Sequence, residues 1–547
     1  MHRSNAGTNA NRVVRERTAL RAICLVLAAV ILVGCSRTVV PPEEPKTVTV
    51  VDPVELTRTE ISGQWLTVDQ SRCISPDGKH LLAVVLGEST ETMSAIPMPE
   101  TDGGPGQDLG DSVALYSIDT SWTKHNLVQW IPVGWLSDAK CVYIIHGWQN
   151  GGEHHGQRGS AVMVGDITTE TSSLVAFMEA SEPREIVDEA VLTEHGTLVF
   201  RVLEKVWSVD IQSNTKRLIR KDFPNYGSLF YFALSPRGDY AVYSLNEHDR
   251  TGIFIMDLAT GTERPLLAAG DTYSFYPVWS PDGRYIMAYT ASSSPDASGQ
   301  GLQLYRMLPG EDGPFAAAEA ITVADVHGEV VRTIALGKDG QDGQDGEQGE
   351  SQSSEATQFL FTSAWLADSE HVVFVSGPVT LGKWGEVRSK DYTGVWICDV
   401  TTDSEPVKCA DLLAVRDEIG ETINYIYPVA SLPDGRSALL NLGGTEAGCV
   451  WRVGEDGSNS KVLDGWWTTP RVQPYFLDRV VGIVRLEEEA RCWLVGPSEA
   501  MPLDEITGDD VSIVAYNDGV LVTMSHGFQT NDSAVYIHSM LKEMIQE

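Results

Sequence analysis

The chain has 547 residues, of which 42% are hydrophobic and 14 are tryptophan, and this is enough to bury a large core. The formal net charge of −36 argues against nucleic acid or an anionic membrane surface as a partner, because both would be repelled. Cations and basic proteins remain compatible with so acidic a surface.

The N-terminus has the organisation of a secretory signal. Five arginines precede an unbroken apolar run over 22–33, which is shorter than the roughly 20 residues that span a bilayer. The run ends in "LVGC", which resembles the lipobox of bacterial lipoproteins. The resemblance implies that residues 1–34 are removed and that Cys35 becomes a lipid-bearing N-terminus, with diacylglycerol and palmitate attached. A membrane anchor, or an ordinary signal that happens to end in cysteine, is the alternative.

Residues 35–60 are predicted to be a tether between this lipid and a folded domain over 61–547. The tether is proline-rich ("PPEEP") and shows no packing pattern. We therefore expect an extracytoplasmic monomer held at the membrane by its lipid. Ser36, rather than an aspartate, follows the lipid-bearing cysteine, so the outer membrane is the expected destination if the envelope has two membranes.

Six cysteines follow the lipobox, and disulfides are possible outside the cytoplasm. Cys398 and Cys409, in "CDVTTDSEPVKC", flank an expected hairpin and are the best candidates for a disulfide. Buried thiols are the alternative. No Cys/His spacing indicates a zinc site.

A Ser-Pro-Asp-Gly pattern recurs along the chain. Its copies are "ISPDGKHLLAVVLG", "LSPRGDYAVYSLN", "WSPDGRYIMAYTA" and "SLPDGRSALLNLG". Proline presets φ, aspartate bonds its own backbone and glycine takes the positive φ that follows, so each copy predicts a tight turn between two strands. Asp77, Asp282 and Asp434 are therefore interpreted as turn residues rather than as catalytic or metal-binding carboxylates.

Further β-rich stretches, such as "TGIFIMDLATG" and "TGVWICDVTT", follow the turns and give units of four short antiparallel strands. No such unit can bury both faces alone, so the units are expected to stack radially as the blades of a single β-propeller in an all-β chain. The pattern resembles the TolB-like and WD40-like propeller repeats of bacterial envelope proteins over about residues 70–540. That resemblance implies a fold and little about function.

Nine candidate strand pairs can be counted in the sequence. Nine blades would be unusual, so eight blades are predicted, with seven as the alternative. The last pair lacks a fourth strand. An N-terminal strand such as "GQWLTV" is expected to complete it, so that N- and C-terminal strands close the ring.

The long interruptions of the pattern are expected at one end of the sheets. If a, b, c and d denote the strands of a unit in chain order, a–b and c–d turns share one end, and b–c and d–a connections share the other. The stretches interpreted as b–c loops are 87–112, 147–160, 291–301 and 377–393. A collagen-like Gly/Asp/Gln-rich insertion at 337–357 is interpreted as a d–a loop. Loops on a rigid scaffold carry function, so this end is the candidate binding surface.

The loop "HGWQNGGEHHGQ" supplies Trp148, Glu153, His154 and His155 as candidate binding residues at that end. Two histidines with a carboxylate could hold a transition metal, although adjacent histidines rarely converge on one ion. A flexible polar loop is the alternative.

In the insertion, Asp339, Asp342 and Asp345 carry the oxygen ligands that calcium prefers. Their spacing departs from the EF-hand pattern, and a few triplets without proline are too short for a collagen triple helix. A solvated, disordered loop is the expected state. No cofactor is predicted, and calcium is the alternative.

No catalytic constellation emerges from the sequence. Related propellers precede the hydrolase domain of prolyl-oligopeptidase-like peptidases, but no G-x-S-x-G elbow is present, and Ser525 beside His526 forms no such motif. We therefore favour a non-enzymatic envelope module that binds a protein partner or acts as a scaffold. The alternative is an enzyme or a small-ligand-binding protein with a polar site in the central channel.

Overall fold

The computed structural model is all-β in the part of the chain that it describes, apart from helix α1 (Leu412–Ile419) and a turn of 3-10 helix (Gly152–His154). The residues described are 49–50, 57–61, 64–66, 73–87, 89–98, 111–119, 128–148, 152–180, 187–193, 195–221, 232–247, 250–268, 272–292, 303–305, 314–316, 320–325, 330–335, 358–381, 387–390, 392, 394–402, 404–419, 423, 425–443, 448–468, 475–476, 479–486, 489–508, 510–517, 520–526 and 533–539.

Two short strands, β1 (Thr49–Val50) and β2 (Thr57–Ile61), precede the first sheet. Sheet 1 contains β3 (Gln64–Leu66), β4 (His80–Leu86), β5 (Thr90–Pro97) and β6 (Val113–Asp119). Sheet 2 contains β7 (Gln129–Ser137), β8 (Lys140–Trp148), β9 (Arg158–Asp166) and β10 (Thr171–Glu179). Sheet 3 contains β11 (Val187–Leu192), β12 (Thr197–Val202), β13 (Lys205–Asp210) and β14 (Thr215–Arg220).

Sheet 4 contains β15 (Phe232–Leu234), β16 (Tyr240–Glu247), β17 (Arg250–Asp257) and β18 (Glu263–Ala268). Sheet 5 contains β19 (Thr272–Trp279) and β20 (Tyr285–Ser292), and, after a separate hairpin of β21 (Gln303–Tyr305) and β22 (Pro314–Ala316), β23 (Ala320–Asp325) and β24 (Val330–Ala335). Sheet 6 contains β25 (Gln358–Trp365), β26 (His371–Leu381), β27 (Val387–Lys390), β28 (Gly394–Asp399) and β29 (Val407–Asp411).

Sheet 7 contains β30 (Tyr425–Ser431), β31 (Ser437–Gly443), β32 (Gly448–Gly454) and β33 (Asn459–Asp464). Sheet 8 contains β34 (Trp466–Thr468), β35 (Tyr475–Phe476), β36 (Arg479–Leu486), β37 (Glu489–Val495) and β38 (Glu499–Gly508), with β1 added beside β38. Sheet 9 contains β39 (Asp510–Asn517), β40 (Val520–His526), β41 (Ser533–Ser539) and β2.

The all-β propeller architecture of four-stranded antiparallel units is confirmed. Within the described residues, seven sheets have four strands, and sheets 6 and 8 contain the same antiparallel unit with extra strands at the side. The described sheets are consistent with the predicted eight-bladed propeller, and they include one further four-stranded unit, which matches the ninth strand pair counted in the sequence. Sheet 8 lacks a Ser-Pro-Asp-Gly turn but keeps the buried apolar strands that a unit needs.

The core of the molecule lies between consecutive sheets, which pack face to face. One cluster of buried residues joins each neighbouring pair, from sheets 1 and 2 to sheets 7 and 8. Leu82 of sheet 1 shares such a cluster with Tyr143 of sheet 2, and Met287 of sheet 5 shares one with Phe374 of sheet 6. Sheet 9 contacts sheet 8 through β39 and β37, and sheet 1 through β41 and β3. Sheets 2 to 7 therefore bury both faces against their neighbours.

A tryptophan near the end of the a strand links three of these sheets to the preceding sheet. The indole N–H groups of Trp135, Trp279 and Trp365 donate to the main-chain carbonyls of Cys73 (2.8 Å), Ala233 (3.1 Å) and Val278 (3.2 Å), respectively. Each carbonyl belongs to the segment that leads into the a–b turn of the preceding sheet. The repeated bond satisfies a partly buried donor and sets the offset between neighbouring sheets.

The Ser-Pro-Asp-Gly segments are tight a–b turns, as predicted. In the first, Ser75 Oγ donates to Asp77 Oδ1 over 2.6 Å, and Gly78 has a φ of 72°, which only glycine adopts freely. Asp77, Asp282 and Asp434 each accept the main-chain N–H two residues ahead. Their interpretation as turn residues is confirmed.

An N-terminal strand completes the last sheet, as predicted, but it is not the expected strand. β2 pairs antiparallel with β41, whereas Gln64–Leu66 of "GQWLTV" is the first strand of sheet 1. In addition, β1 pairs in parallel with β38. Strand pairing therefore begins at Thr49, inside the stretch 35–60 that was predicted to be a tether.

The stretch 87–112 is not the predicted b–c loop. β5 occupies its first part and pairs with both β4 and β6, so the long connection runs from c to d and lies at the opposite end of the sheet. Polar residues at buried positions conceal this strand in the sequence. Glu91 is only 7% exposed, and it accepts the indole N–H of Trp130 over 2.8 Å.

The other predicted connections keep their positions. The 147–160 loop joins β8 to β9, the 377–393 loop joins β26 to β28, and the 337–357 insertion joins β24 to β25. The 291–301 loop extends as far as β23, because β21 belongs to the separate hairpin and β23 is the strand that pairs with β20. We call the end of the sheets with b–c and d–a connections the loop end, and the other the turn end.

The predicted disulfide between Cys398 and Cys409 does not form. Cys398 packs in the cluster shared with sheet 5, whereas Cys409 packs in the cluster shared with sheet 7. The two side chains therefore point to opposite faces of sheet 6. A register shift between β28 and β29 contributes to this arrangement, because it places Lys408 opposite Trp396.

We expect the folded protein to protect buried thiols from alkylation. Burial raises the pKa of Cys141, Cys409 and Cys492 to about 12, so almost no reactive thiolate forms at pH 8. Iodoacetamide at that pH should modify these cysteines only in denaturant, as measured by peptide mass mapping. A reducing agent should leave the melting temperature unchanged. Labelling of Cys398 and Cys409 that requires prior reduction would contradict the assignment.

Candidate functional site

The structure brings together two of the residues predicted in the β8–β9 loop. His154 Nε2 lies 3.2 Å from Glu153 Oε1, and its Nδ1 lies 2.6 Å from Gln157 Oε1. The His154 ring also stacks on Phe177, with ring centroids 4.0 Å apart. His155 is exposed and does not join this cluster. Both nitrogens of His154 thus have partners within the protein, and the two histidines do not converge on one point.

The remaining predicted site residues lie outside the described residues. These are Cys35, the aspartates Asp339, Asp342 and Asp345, and the side chain of Trp148, whose backbone ends β8. Within the described ranges, no group of three or more His, Cys, Asp or Glu side chains could hold a metal ion. In the same ranges, no helix has the length and apolar character needed to cross a membrane.

Three aromatic side chains that are partly or largely exposed lie at the loop end of sheets 7 and 8. Tyr425 and Tyr427 are 57% and 42% exposed, and they share one face of β30. Tyr425 pairs directly with Gly443 of β31, and the ring of Trp466 lies over that glycine. We call Tyr425, Tyr427 and Trp466 the aromatic groove.

Glycines allow the consecutive tryptophans of "GWW" to pack. Gly443 and Gly448 face each other across β31 and β32, and Trp466 lies over both. Trp467 points to the other side of the strand, is 1% exposed and lies on Gly482 of its own sheet. A Cβ atom at any of the three glycines would lie 1.8–2.5 Å from the indole. The first strand of sheet 8 therefore gives one tryptophan to the groove and one to the core.

Asn441 joins the groove to sheet 8 and is fully buried. Its Oδ1 accepts the Trp467 main-chain N–H over 3.0 Å, and its Nδ2 donates to the Trp467 carbonyl over 2.8 Å. The same Nδ2 donates to Tyr427 Oη over 3.1 Å. The side-chain amide thus pairs with β34 as a strand residue would, and it holds Tyr427 in place. The groove is preorganised by buried contacts.

A concave site lies at the turn end between sheets 2 and 3 and has a volume of about 860 Å³. Lys140, His195 and Gln212 are among its polar lining residues. Lys140 Nζ is 3.9 Å from Asp166 Oδ2, and such a partly exposed pair leaves the ammonium available to another anion. This cleft has the polarity to hold a small polar or anionic molecule.

A buried histidine connects sheets 6 and 7 at the turn end. His371 Nδ1 is 2.5 Å from Asp368 Oδ2, and its Nε2 is 3.4 Å from Glu455 Oε1. The hydrogen bond to Asp368 raises the pKa of His371, and the charges of Asp368, Glu455 and Asp399 raise it further. Its place between two carboxylates gives this histidine a structural role in its protonated form.

Sequence reasoning overlooked the aromatic groove. A signal is present in "YIYP", where two tyrosines alternate with a buried isoleucine at the start of an a strand. The "GWW" segment is a second signal. Neither indicates a site alone, because the groove depends on contact between two sheets.

Comparisons with known proteins give likenesses to solved structures only. No family model matches the chain, and no curated protein matches its sequence. Similar structures include oligogalacturonate lyase from Vibrio parahaemolyticus, at 10% identity and a TM-score of 0.33 over 90% of this chain and 100% of that one. TolB from Acinetobacter baumannii is 12% identical with a TM-score of 0.27, covering 75% of this chain and 97% of that one.

The propeller domain of the Trilobed protease from Pyrococcus furiosus is also similar, at 10% identity and a TM-score of 0.30 over 67% of this chain and 94% of that one. These similar structures thus include TolB, which the Ser-Pro-Asp-Gly repeats resemble, and other β-propeller proteins.

Gly443→Ala should displace Trp466. The new Cβ would lie 1.8 Å from the indole, so the ring must move, at an expected cost of about 1–3 kcal/mol in the free energy of unfolding. Urea denaturation measures this cost. Gly496→Ala is the matched control, because its nearest neighbour would lie at an ordinary 3.4 Å. Equal stabilities of the two variants would show that Trp466 does not lie on this glycine.

Stability should fall as the pH rises above about 6.5. The pKa of His371 is raised above its unfolded value near 6.5, so its stabilising effect is complete below that pH and is lost as the pH rises through the folded pKa. His371→Gln should remove this part of the pH dependence of the melting temperature. His195→Gln, which changes an exposed histidine, should leave the profile unchanged. Identical profiles for wild type and His371→Gln would contradict the assignment.

Proposed function

We propose that the protein is a lipid-anchored module of the bacterial envelope that binds a protein partner through the loop end of its propeller. The observation that carries this proposal is the aromatic groove, in which Asn441 holds Tyr427, Trp466 lies on a glycine pair and Tyr425 is 57% exposed. Tyrosine and tryptophan are enriched at the energetic centres of protein interfaces, where rigid rings bury much area at little entropic cost.

The lipobox at Cys35 supports the anchoring part of the proposal. Strand pairing begins at Thr49, so residues 36–48 separate the lipid-bearing cysteine from the first strand. Fully extended, these thirteen residues reach at most about 45 Å. A module on such a tether meets partners that are themselves near the membrane surface.

Cys35→Ala should release the protein from the membrane, since the acyl chains would no longer be attached. Fractionation of cells with phase separation in detergent measures this, and intact mass shows whether lipid is present. Ser36→Ala is the control and should stay anchored. Membrane association of Cys35→Ala at the wild-type level, without lipid in the mass spectrum of either protein, would overturn the anchoring proposal.

The binding part is tested by cross-linking in intact cells. We expect one partner to be enriched with the wild type and lost with Tyr425→Ser, while Leu174→Ser on the outer strand β10 retains it. These positions are 57% and 41% exposed, so neither change should unfold the protein. A partner retained by Tyr425→Ser would show that the groove is not the interface.

The cleft between sheets 2 and 3 favours a second candidate function, the binding of a small polar ligand. Its volume suits a small molecule, and Lys140 offers a cation within an acidic protein. A thermal-shift screen of small carboxylates and phosphates, repeated with Lys140→Gln, separates this function from partner binding. A shift that disappears in Lys140→Gln would support it.

A further inference from the structure

We infer that the cleft between sheets 2 and 3 binds a small amphipathic carboxylate, with the anionic group at Lys140 and the aliphatic body against apolar side chains of the cleft. This inference deepens the second candidate function and rests on it. It assigns a chemical class to the ligand, which the volume of about 860 Å³ does not specify.

Segments of two neighbouring sheets form the cleft. Lys140 begins β8 directly after the a–b turn of sheet 2. His195 lies in the a–b turn of sheet 3, and Gln212 lies in the c–d turn of the same sheet. The buried cluster shared by sheets 2 and 3 lies next to the cleft, because several residues that line the cleft also pack in or against that cluster. The core therefore sets the position of the walls, and a ligand meets a preformed site.

The floor of the cleft is aliphatic. Leu136, Val164 and Val175 line the cleft, are half-buried and pack against the cluster between the two sheets. They belong to three different strands of sheet 2, namely β7, β9 and β10. We call these three side chains the apolar floor. An aliphatic chain laid on the apolar floor removes further apolar surface from water, whereas a sugar or aromatic ring finds no ring to stack on among them.

Lys140 supplies a cation beside the apolar floor. Its side chain is 55% exposed, and its Nζ lies 3.9 Å from Asp166 Oδ2, which is beyond hydrogen-bond distance. Asp166 Oδ1 accepts the main-chain N–H of Thr168 over 3.0 Å and the hydroxyl of Thr168 over 2.6 Å. The Asp166 carboxylate is therefore held by its own turn, so Lys140 can donate to a ligand without breaking a direct hydrogen bond.

The charges at the cleft favour a singly charged ligand. A group that bonds to Lys140 also comes near Asp166, and repulsion from that carboxylate grows with the negative charge of the ligand. A phosphate dianion is therefore opposed more strongly than a carboxylate. His195 and Gln212 are exposed at the edge of the cleft, and their side chains carry N–H groups that can donate to the second carboxylate oxygen. The lining thus matches one negative charge joined to an aliphatic chain.

The test uses the full-length mature protein in nonionic detergent, with detergent alone as the blank. The probes are hexanoate, its uncharged amide hexanamide, acetate and inorganic phosphate. Titrations followed by ligand-observed NMR measure the affinity of each probe. We expect hexanoate to bind at least about ten-fold more tightly than hexanamide, which lacks the charge, and than acetate, which lacks the aliphatic chain.

Variants separate the contribution of the cation from that of the apolar floor. Lys140→Gln should lower the affinity for hexanoate to that for hexanamide. Lys79→Gln is the matched control and should bind as wild type does, because Lys79 is an exposed lysine that follows the a–b turn of sheet 1. Val175→Thr keeps the shape of valine and should weaken hexanoate at least about three-fold without affecting acetate. If Val175→Thr melts below the wild type, Val164→Thr replaces it.

Four outcomes would overturn the inference: no binding of hexanoate, equal affinity for hexanoate and hexanamide, equal affinity for hexanoate and acetate, or a preference for hexanoate that Lys140→Gln leaves intact. Binding of phosphate alone, lost in Lys140→Gln, would also overturn it, while the second candidate function would stand. If none of the four probes binds, the second candidate function fails as well. Capture of a protein partner at the loop end is independent of all these outcomes.

Discussion

Neighbouring four-stranded sheets pack face to face, and this packing builds the core of the described chain. Its most explicit form is the indole N–H of Trp135, Trp279 or Trp365, which donates to a carbonyl of the preceding sheet. The ring packs against the neighbouring sheet while the bond fixes the height of one sheet on the next. Loss of one such ring would affect two sheets together, since each sheet is the neighbour of two others.

The aromatic groove lies where the packing between two neighbouring sheets differs from the packing elsewhere in the molecule. The first strand of sheet 8 is short and begins with two tryptophans, of which Trp467 fills the core while Trp466 lies toward the surface on a glycine pair. Asn441 supplies the contact between the sheets that a tryptophan supplies elsewhere. Aromatic side chains therefore remain near the surface at the loop end, where contacts between the two sheets hold the backbone in place. Exposed rings in a fixed position suit the recognition of a partner.

Several cations of this acidic chain are engaged in contacts away from the aromatic groove. The acidic chain holds several of its own cations in internal contacts, such as Arg220 with Glu263 and Tyr243, and His371 between Asp368 and Glu455. The groove rings have no such cation among the described residues.

The four-stranded repeats and the chemistry of their turns can be read from the sequence, because Ser75 and Asp77 bond to groups no more than five residues away. The sequence also predicted a lipid-bearing Cys35, which lies outside the described residues. The remaining features arise from contacts between sheets. The cysteines near a hairpin face opposite sides of sheet 6, a strand with buried Glu91 replaces a loop, and the groove unites β30, β31 and β34. These features depend on which face of a strand meets which neighbouring sheet, and contacts between residues distant in sequence set that choice.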